Sequence, residues 1–133
     1  MTEQSTHVTA LADTSLFIAF ERHRSLSQHP PERVSVSIIT LGELRLGVLA
    51  ATTADARAQR LETLARVEML DPLPIDRPVA HAWAALRLAL RDQARRMPLN
   101  DSWIAATAIA HRIPVVTQDD DYDGVPNLAV IRV

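Results

Sequence analysis

Four acidic residues lie near the ends of predicted segments: Asp13 ends the first strand, Glu43 lies in the first turn after the second, Asp101 opens a helix, and Asp119 follows the strand after that helix. Carboxylates held close together repel one another and raise each other's pKa unless a divalent cation offsets their charge. Mg²⁺ and Mn²⁺ favour such oxygen ligands, and Mg²⁺ keeps bound waters and accepts phosphate oxygens directly. If the fold collects these four acids, they predict a site for metal-dependent hydrolysis of a phosphate ester.

Each of these acids also has a purely structural interpretation. Asp13 could cap the helix that follows it. The segment Thr40-Leu41-Gly42-Glu43 matches a capping box, in which Glu43 reaches back to the N-cap amide. Asp101 suits the first turn of a helix, and Asp119 suits a turn. For any one acid the structural interpretation is the better supported, so the functional one depends on the fold bringing all four together.

Predicted strands and helices alternate along the chain. The patterns predict strands at about 8–12, 34–38, 114–117 and 128–133, with at best a very short one at 73–75 between two prolines. They predict helices at about 16–20, from 40 onwards, at 53–70, from Asp76 to about 96, and at 101–111 with Asn100 as its cap. We therefore expect an α/β fold: a central parallel sheet of four to five strands with helices on both faces. Polar sites in such sheets gather at the carboxyl ends of the strands, where the four acids would meet.

The amino-acid composition excludes several classes of catalytic mechanism and metal site. The 133 residues are enough for one domain with a sizeable core, and the net charge of -2 offers no general basic field for nucleic acid. All 14 basic residues are arginine, which excludes mechanisms that need a lysine for phosphate or Schiff-base chemistry. The absence of cysteine excludes disulfide scaffolds, thiol nucleophiles and thiolate metal sites. The polar, acid-containing N-terminus and the short apolar stretches predict a cytoplasmic protein with no membrane segment.

The acidic run Asp119 to Gly124 matches the start of a calcium-binding loop. That loop needs a glutamate at its twelfth position, which here is Val130, and it needs a helix where this sequence predicts a strand. We therefore assign Asp119 and Asp121 to the acidic site and the remaining acids of the run to a solvated turn.

Four segments of the chain resemble, in order and spacing, the motifs of PIN-domain ribonucleases, and within that family the VapC toxins of toxin–antitoxin pairs. The segments are Asp13-Thr14-Ser15 after a strand, Thr40-Leu41-Gly42-Glu43-Leu44, Asn100-Asp101-Ser102-Trp103-Ile104-Ala105-Ala106 and Thr117-Gln118-Asp119-Asp120-Asp121-Tyr122. The match covers nearly the whole chain. The resemblance implies a Mg²⁺- or Mn²⁺-dependent endoribonuclease that cuts RNA, usually forms a homodimer and is neutralised by a cognate VapB-type antitoxin.

The resemblance also implies roles for individual residues. Asp13 and Asp101 would be metal ligands, and Asp119 would contribute to the metal or its waters. Glu43 would orient or deprotonate the attacking water. Asp121 matches a second acid that the family often carries in its last motif. Hydrogen-bonding support would come from Thr14 and Thr117.

Two features depart from the family pattern. Family members tend to begin close to the first strand, so residues 1–7 are expected to be a disordered N-terminal extension and residues 8–133 the nuclease domain. Tyr122 stands where the family often has phenylalanine, and we expect the ring to be buried in either case.

The arginines divide into two groups. Arg87, Arg91 and Arg95 recur every four residues, and a solvated helix face is a better interpretation of this stripe than an RNA track. Arg45 lies two residues after Glu43 and could balance the acids or hold a phosphate of the RNA.

Alternative functions of different classes need residues that this sequence lacks. Phosphoaspartate enzymes and receiver modules rely on a lysine near the phosphate, and a haloacid-dehalogenase-type phosphatase would need a second acid where Ser15 stands. Two alternatives within the PIN fold stay open. One is an RNA-processing nuclease outside any toxin pair, and the other is a non-catalytic module that binds a metal and a partner.

Overall fold

The computed structural model describes residues 9–133, in which strands and helices alternate. The strands are β1 (Thr9–Ala12), β2 (Arg33–Val36), β3 (Val115–Thr117) and β4 (Val130–Arg132). The helices are α1 (Thr14–Glu21), α2 (Ile38–Ala50), α3 (Ala54–Glu68), α4 (Arg77–Asp92) and α5 (Leu99–His111). The expected N-terminal extension, residues 1–7, and the first residue of the predicted first strand, Val8, lie outside the described residues.

The strands form one parallel sheet in the order β2-β1-β3-β4, which confirms the predicted α/β fold. Leu11 of β1 lies between Ser35 of β2 and Val115 of β3. The short strand predicted at 73–75 is reduced to one bridge between Ser37 and Leu73. The prolines on either side of that segment cannot donate to a ladder, so the sheet within residues 9–133 has four strands.

Helices cover both faces of the sheet, as the alternation of side chains in β1 requires. Leu11 points to one face and packs with residues of α4 and α5, including Leu90 and Ile104. Ala10 and Ala12 point to the other face and pack with Leu16 of α1. A third cluster, formed by β2 with α2 and α3, extends the core beyond the sheet edge.

Helix α2 begins earlier than predicted, and this changes the role of Glu43. Its N-cap is Ser37, whose hydroxyl accepts a hydrogen bond from the Ile39 amide at 3.1 Å. Glu43 therefore lies in the second turn, too far along the helix for a capping box with Thr40. The capping-box interpretation is wrong, and the Glu43 carboxylate is left to make contacts outside its own helix.

The ends of α4 and α5 also differ from prediction. Asp76 caps α4 as expected, accepting from the Val79 amide at 3.2 Å. The helix ends at Asp92 rather than near 96, because Ala94 adopts a left-handed conformation with φ of 52°. Helix α5 follows Pro98 and has no side-chain cap, so the assignment of Asn100 as its cap is wrong.

None of the helices in residues 9–133 is both long and apolar enough to cross a bilayer.

Candidate active site

The four predicted acids line one cavity of about 310 Å³ at the carboxyl edge of the sheet. Asp13 follows β1 directly, and Asp119 lies two residues after β3. Glu43 projects from α2, and Asp101 projects from the first turn of α5. The order of the parallel strands thus places side chains that are up to 106 residues apart in sequence around one space.

Asp13 is the most enclosed of these acids, with 2% of its surface exposed. Its Oδ2 atom accepts from the Ser15 amide at 3.3 Å and from the Thr117 hydroxyl at 3.0 Å. Its Oδ1 atom accepts from the Tyr122 hydroxyl at 2.7 Å. Three donors therefore stabilise a buried negative charge and fix both carboxylate oxygens in position.

A chain of hydroxyl groups connects the first and third strand ends. Thr117 gives its single hydroxyl proton to Asp13, so Ser15, at 3.1 Å from Thr117, must donate to the Thr117 oxygen. The amides of Gln118 and Asp119 in turn donate to the Ser15 and Thr117 hydroxyls, each at 3.0 Å. The path of the chain leaving β3 towards Asp119 is therefore set by the same hydroxyls that hold Asp13.

Glu43 is held by two side chains from other helices. The Thr14 hydroxyl donates to Glu43 Oε1 at 2.6 Å, and the Asn100 side-chain amide donates to Oε2 at 3.4 Å. Because Thr14 donates its only hydroxyl proton to Glu43, the Thr40 hydroxyl, 2.9 Å from the Thr14 hydroxyl, must donate to Thr14. Glu43 is thereby oriented towards the cavity by contacts from both α1 and α5.

Tyr122 is fully buried, and its hydroxyl reaches into the acid cluster. It lies 2.7 Å from Asp13 Oδ1 and 3.3 Å from Asp101 Oδ1. Burial, followed by the charges of Asp13 and Asp101, raises the pKa of Tyr122 far above its usual range, so the hydroxyl stays protonated. A single proton serves one acceptor at a time, and the shorter distance favours Asp13.

Asp101 carries the clearest sign of crowding. Burial raises the pKa of Asp101 to about 7, with further contributions from the charge of Asp13, from Asp121 and from Glu43. Burial also raises the pKa of Asp119, together with the charges of Asp13 and Asp121. Asp121 does not line the cavity, and it interacts with Asp101 from the loop that carries Tyr122.

The donor set suits a hard divalent cation. Carboxylate oxygens surround the cavity, and their mutual repulsion would be relieved by a positive charge placed among them. Among residues 9–133, no group of three or more His, Cys, Asp or Glu side chains is placed so that all of them could hold one metal ion. One or two carboxylates with several waters is the coordination that Mg²⁺ ordinarily accepts, and Asp13 and Asp101, which share the Tyr122 hydroxyl, are the pair best placed for it.

The arginines that line the acidic cavity are not Arg45, the residue proposed from the sequence as a phosphate contact. Arg22 and Arg24 line the cavity, where they could meet an anionic substrate. Arg45 is exposed on α2 and does not line the cavity. Two residues along a helix turn the side chain by roughly 200°, so Arg45 cannot share the inward direction of Glu43.

Several other side chains at the site also escaped the sequence analysis. They are Ser15, Thr40, Asn100 and the hydroxyl of Tyr122. Of these contacts, that of Tyr122 had a signal in the sequence, because Tyr122 stands where the family often has phenylalanine. A buried tyrosine hydroxyl needs a polar partner. Nothing in the spacing of Arg22 and Arg24 distinguishes them from other surface arginines.

Comparison with known proteins identifies the family. The PIN domain model matches residues 10–128. Ribonuclease VapC5 of Mycobacterium tuberculosis is 47% identical over 133 residues, covering 97% of this chain and 98% of the relative. Ribonuclease VapC4 of the same organism is 49% identical, covering 93% of this chain and 96% of the relative.

Solved structures agree with these relatives. The crystal structure of VapBC-5 from Mycobacterium tuberculosis, a member of the VapBC family of toxin–antitoxin systems, matches with a TM-score of 0.86 at 46% identity. The match covers 95% of this chain and 99% of that one. FitAcB from Neisseria gonorrhoeae matches with a TM-score of 0.74 at 30% identity, covering 92% and 96%. The chain therefore belongs to the PIN-domain family and, within that family, to the VapC proteins.

Proposed function

We propose that this protein is a divalent-metal-dependent endoribonuclease that acts in the cytoplasm as the toxin of a type II toxin–antitoxin pair. One observation carries the proposal: Asp13, Glu43, Asp101 and Asp119 line a single cavity in a PIN domain. The relatives named ribonuclease VapC, at 47% and 49% identity, support RNA as the substrate.

The acids of the cavity would have different roles in binding the metal ion. Asp13 and Asp101 would hold a Mg²⁺ or Mn²⁺ ion, with Asp119 ordering its waters. When bound, such an ion would offset the carboxylate charge and activate water for attack on a phosphodiester. Asp13 is suited to a ligand's role because three hydrogen bonds fix it without using all of its lone pairs.

Glu43 is the group best placed to take the proton that the attacking water loses. Thr14 and Asn100 hold its carboxylate at the cavity wall, so no reorganisation is needed when substrate arrives. Arg22 and Arg24 would hold phosphate oxygens beside the acids. Asp121 would act through Asp101, whose pKa it helps to raise.

The nuclease part of the proposal is tested with purified protein over a panel of RNAs. We expect cleavage in Mg²⁺ or Mn²⁺ and none in excess EDTA. Equal cleavage in EDTA would overturn the metal dependence. No cleavage of any RNA, with metal binding retained, would favour a non-catalytic PIN module.

The toxin part is tested in cells. The similarity to VapBC-5, a member of a family of toxin–antitoxin systems, supports a VapB-type antitoxin as the partner. A homodimer as the toxin's own assembly is part of the same proposal. We expect expression to arrest growth, and we expect Asp13→Asn or co-expression of the antitoxin to relieve the arrest. Unimpaired growth on expression of an active nuclease would instead favour RNA processing outside a toxin pair.

A further inference from the structure

A second cavity, of about 610 Å³, lies at the C-terminal end of α4 and is lined by four arginines. We call it the arginine surface and define it by Arg87, Arg91, Arg95 and Arg96. It is separate from the acidic cavity, with which it shares no lining residue.

The turn that ends α4 creates the arginine surface. Ala94 adopts a left-handed conformation, and the Arg95 amide donates back to the Leu90 carbonyl at 2.8 Å. The chain therefore leaves the helix axis after Asp92, and Arg95 does not continue a straight stripe from Arg91. Arg87 and Arg91 are exposed on α4, as predicted for a solvated helix face, whereas Arg95 lies beyond the end of the helix, and with Arg96 these arginines line a concavity.

The charges of the arginine surface are not neutralised within the described part of the chain. Neither of the two ion pairs found in residues 9–133 involves any of its four arginines. Arg95 donates to the Asp121 carbonyl at 2.9 Å, and Arg87 lies 5.7 Å from the centre of the Trp83 ring. One cation is enough to stabilise the C-terminus of a helix, so four arginines without an ion pair among residues 9–133 favour an anionic ligand with several charges.

The arginine surface is joined to the acidic cavity by one short loop. Arg95 holds the backbone of Asp121, and the next residue, Tyr122, reaches Asp13 and Asp101. A polyanion bound at Arg95 would therefore lie beside the loop whose next residue contacts the acids. RNA needs such help, because the carboxylates of the acidic cavity repel phosphate.

We propose that the arginine surface binds the phosphate backbone of the RNA substrate next to the acidic cavity, an inference that rests on the proposed ribonuclease function. Guanidinium groups pair bidentately with phosphate oxygens, and several of them along one face follow a backbone without reading bases. The net charge of -2 makes this local concentration of cations the more distinctive.

The test measures binding of a fluorescent single-stranded RNA in EDTA, over a series of salt concentrations. The test variant is Arg91→Gln with Arg96→Gln, both at exposed positions. The matched control is Arg77→Gln with Arg112→Gln, which removes the same charge; Arg77 lies at the other end of α4, roughly 20 Å from Arg91. A third variant, Arg91→Lys with Arg96→Lys, keeps the charge.

We expect the wild type to bind RNA with an affinity that falls as salt rises. The glutamine variant should lose at least about tenfold in affinity at low salt, and its salt slope should shrink by roughly 0.7 for each lost contact. The control should match the wild type, and the lysine variant should recover the slope. No binding by the wild type, an unchanged glutamine variant, or an equal loss in the control would overturn the proposal.

Three further outcomes distinguish RNA binding at the arginine surface from a different ligand and from the proposed nuclease activity. Polyglutamate that binds through these arginines when RNA does not would identify an acidic protein as the occupant and overturn the RNA proposal. If the wild type in Mg²⁺ binds RNA through the arginine surface without cleaving it, the nuclease proposal fails and the proposal of RNA binding at the arginine surface stands. If the glutamine variant binds and cleaves RNA as the wild type does, the proposal of RNA binding at the arginine surface fails and the nuclease proposal stands.

Discussion

The hydroxyl of Tyr122 donates to the buried carboxylate of Asp13 at 2.7 Å, across 109 residues of sequence. This contact joins the last loop of the chain to the end of its first strand. The same hydroxyl lies 3.3 Å from Asp101, so one side chain touches the two acids best placed to hold a cation. The geometry of the acid cluster therefore depends on a residue that carries no charge.

Replacing Tyr122 with phenylalanine should weaken the fold while keeping the buried ring. Asp13, which is 2% exposed, would lose one of its three donors, at a cost of about 1.5–3 kcal/mol. Urea unfolding of the wild type and Tyr122→Phe in EDTA measures the loss. In the background of Asp13→Asn the same change should cost less, because the acceptor is no longer charged. A loss below about 0.5 kcal/mol in both backgrounds would contradict the assigned hydrogen bond.

Asp101 should make the metal-free protein less stable as pH rises. Its pKa is raised from 3.8 unfolded to about 7 folded, chiefly by burial and then by the charge of Asp13. Between these values the folded state keeps a proton that the unfolded state has lost, so stability falls from about pH 4 to pH 7 and then levels. Asp101→Asn, which does not titrate, should therefore gain stability relative to the wild type over this range.

Urea unfolding at pH 5 and pH 8 in EDTA checks the Asp101 prediction. Asp55→Asn is the matched control, because Asp55 lies exposed in the first turn of α3 and does not line the acidic cavity. The difference between Asp101→Asn and the wild type should grow with pH, whereas the difference for Asp55→Asn should not. A constant difference for both variants would show that Asp101 ionises normally in the folded protein.

Metal affinity should rise with pH for the same reason. A cation held by Asp101 must displace the proton that this carboxyl keeps up to about pH 7. Calorimetric titration with Mn²⁺ should show about a tenfold gain in affinity for each pH unit below about 7, with release of a proton. Affinity that does not change between pH 5.5 and pH 7, with no proton released, would contradict a cation held by an Asp101 carboxyl whose pKa is raised to about 7.

Thr14→Val should slow RNA cleavage without weakening RNA binding. The valine keeps the shape of the side chain and removes the 2.6 Å hydrogen bond to Glu43. Loss of such a supporting contact lowers activity by roughly 10–100-fold, and we expect the change in kcat rather than KM. Thr63→Val is the control, because the Thr63 hydroxyl also donates to a glutamate, Glu21, at 2.8 Å but outside the acidic cavity. Equal losses in the two variants, or a loss confined to KM, would count against the role of Glu43.

The fold was predictable where periodicity and caps agreed. Thr53 and Asp76 start their helices as predicted, because each side chain caps an early amide of its helix. The start of α2 was missed because Ile38 and Ile39 continue a β-branched run that also suits a strand. In the fold the strand ends at Val36, and the Ser37 hydroxyl caps α2 by accepting from the Ile39 amide.

The candidate site was predictable to the level of its acids and less so beyond them. The rule that polar sites gather at strand ends placed the four carboxylates without any side-chain geometry. It could not assign the supporting contacts, because the partner of a hydroxyl or amide depends on directions that only packing fixes. Asn100 illustrates the limit: in sequence it suits a helix cap, yet in the fold it donates to Glu43. Tyr122 illustrates it again, since its ring was expected to be buried and its hydroxyl was given no role.

The most direct test of a metal-dependent RNA-cleaving site at these acids compares cleavage rates of one RNA in Mn²⁺ and in EDTA. The proteins are the wild type, Asp101→Asn and the control Asp55→Asn. We predict that Asp101→Asn lowers the rate in Mn²⁺ by on the order of a hundredfold or more, that Asp55→Asn stays close to the wild type, and that EDTA abolishes cleavage by all three. A wild-type rate for Asp101→Asn, or wild-type cleavage that survives EDTA, would contradict it.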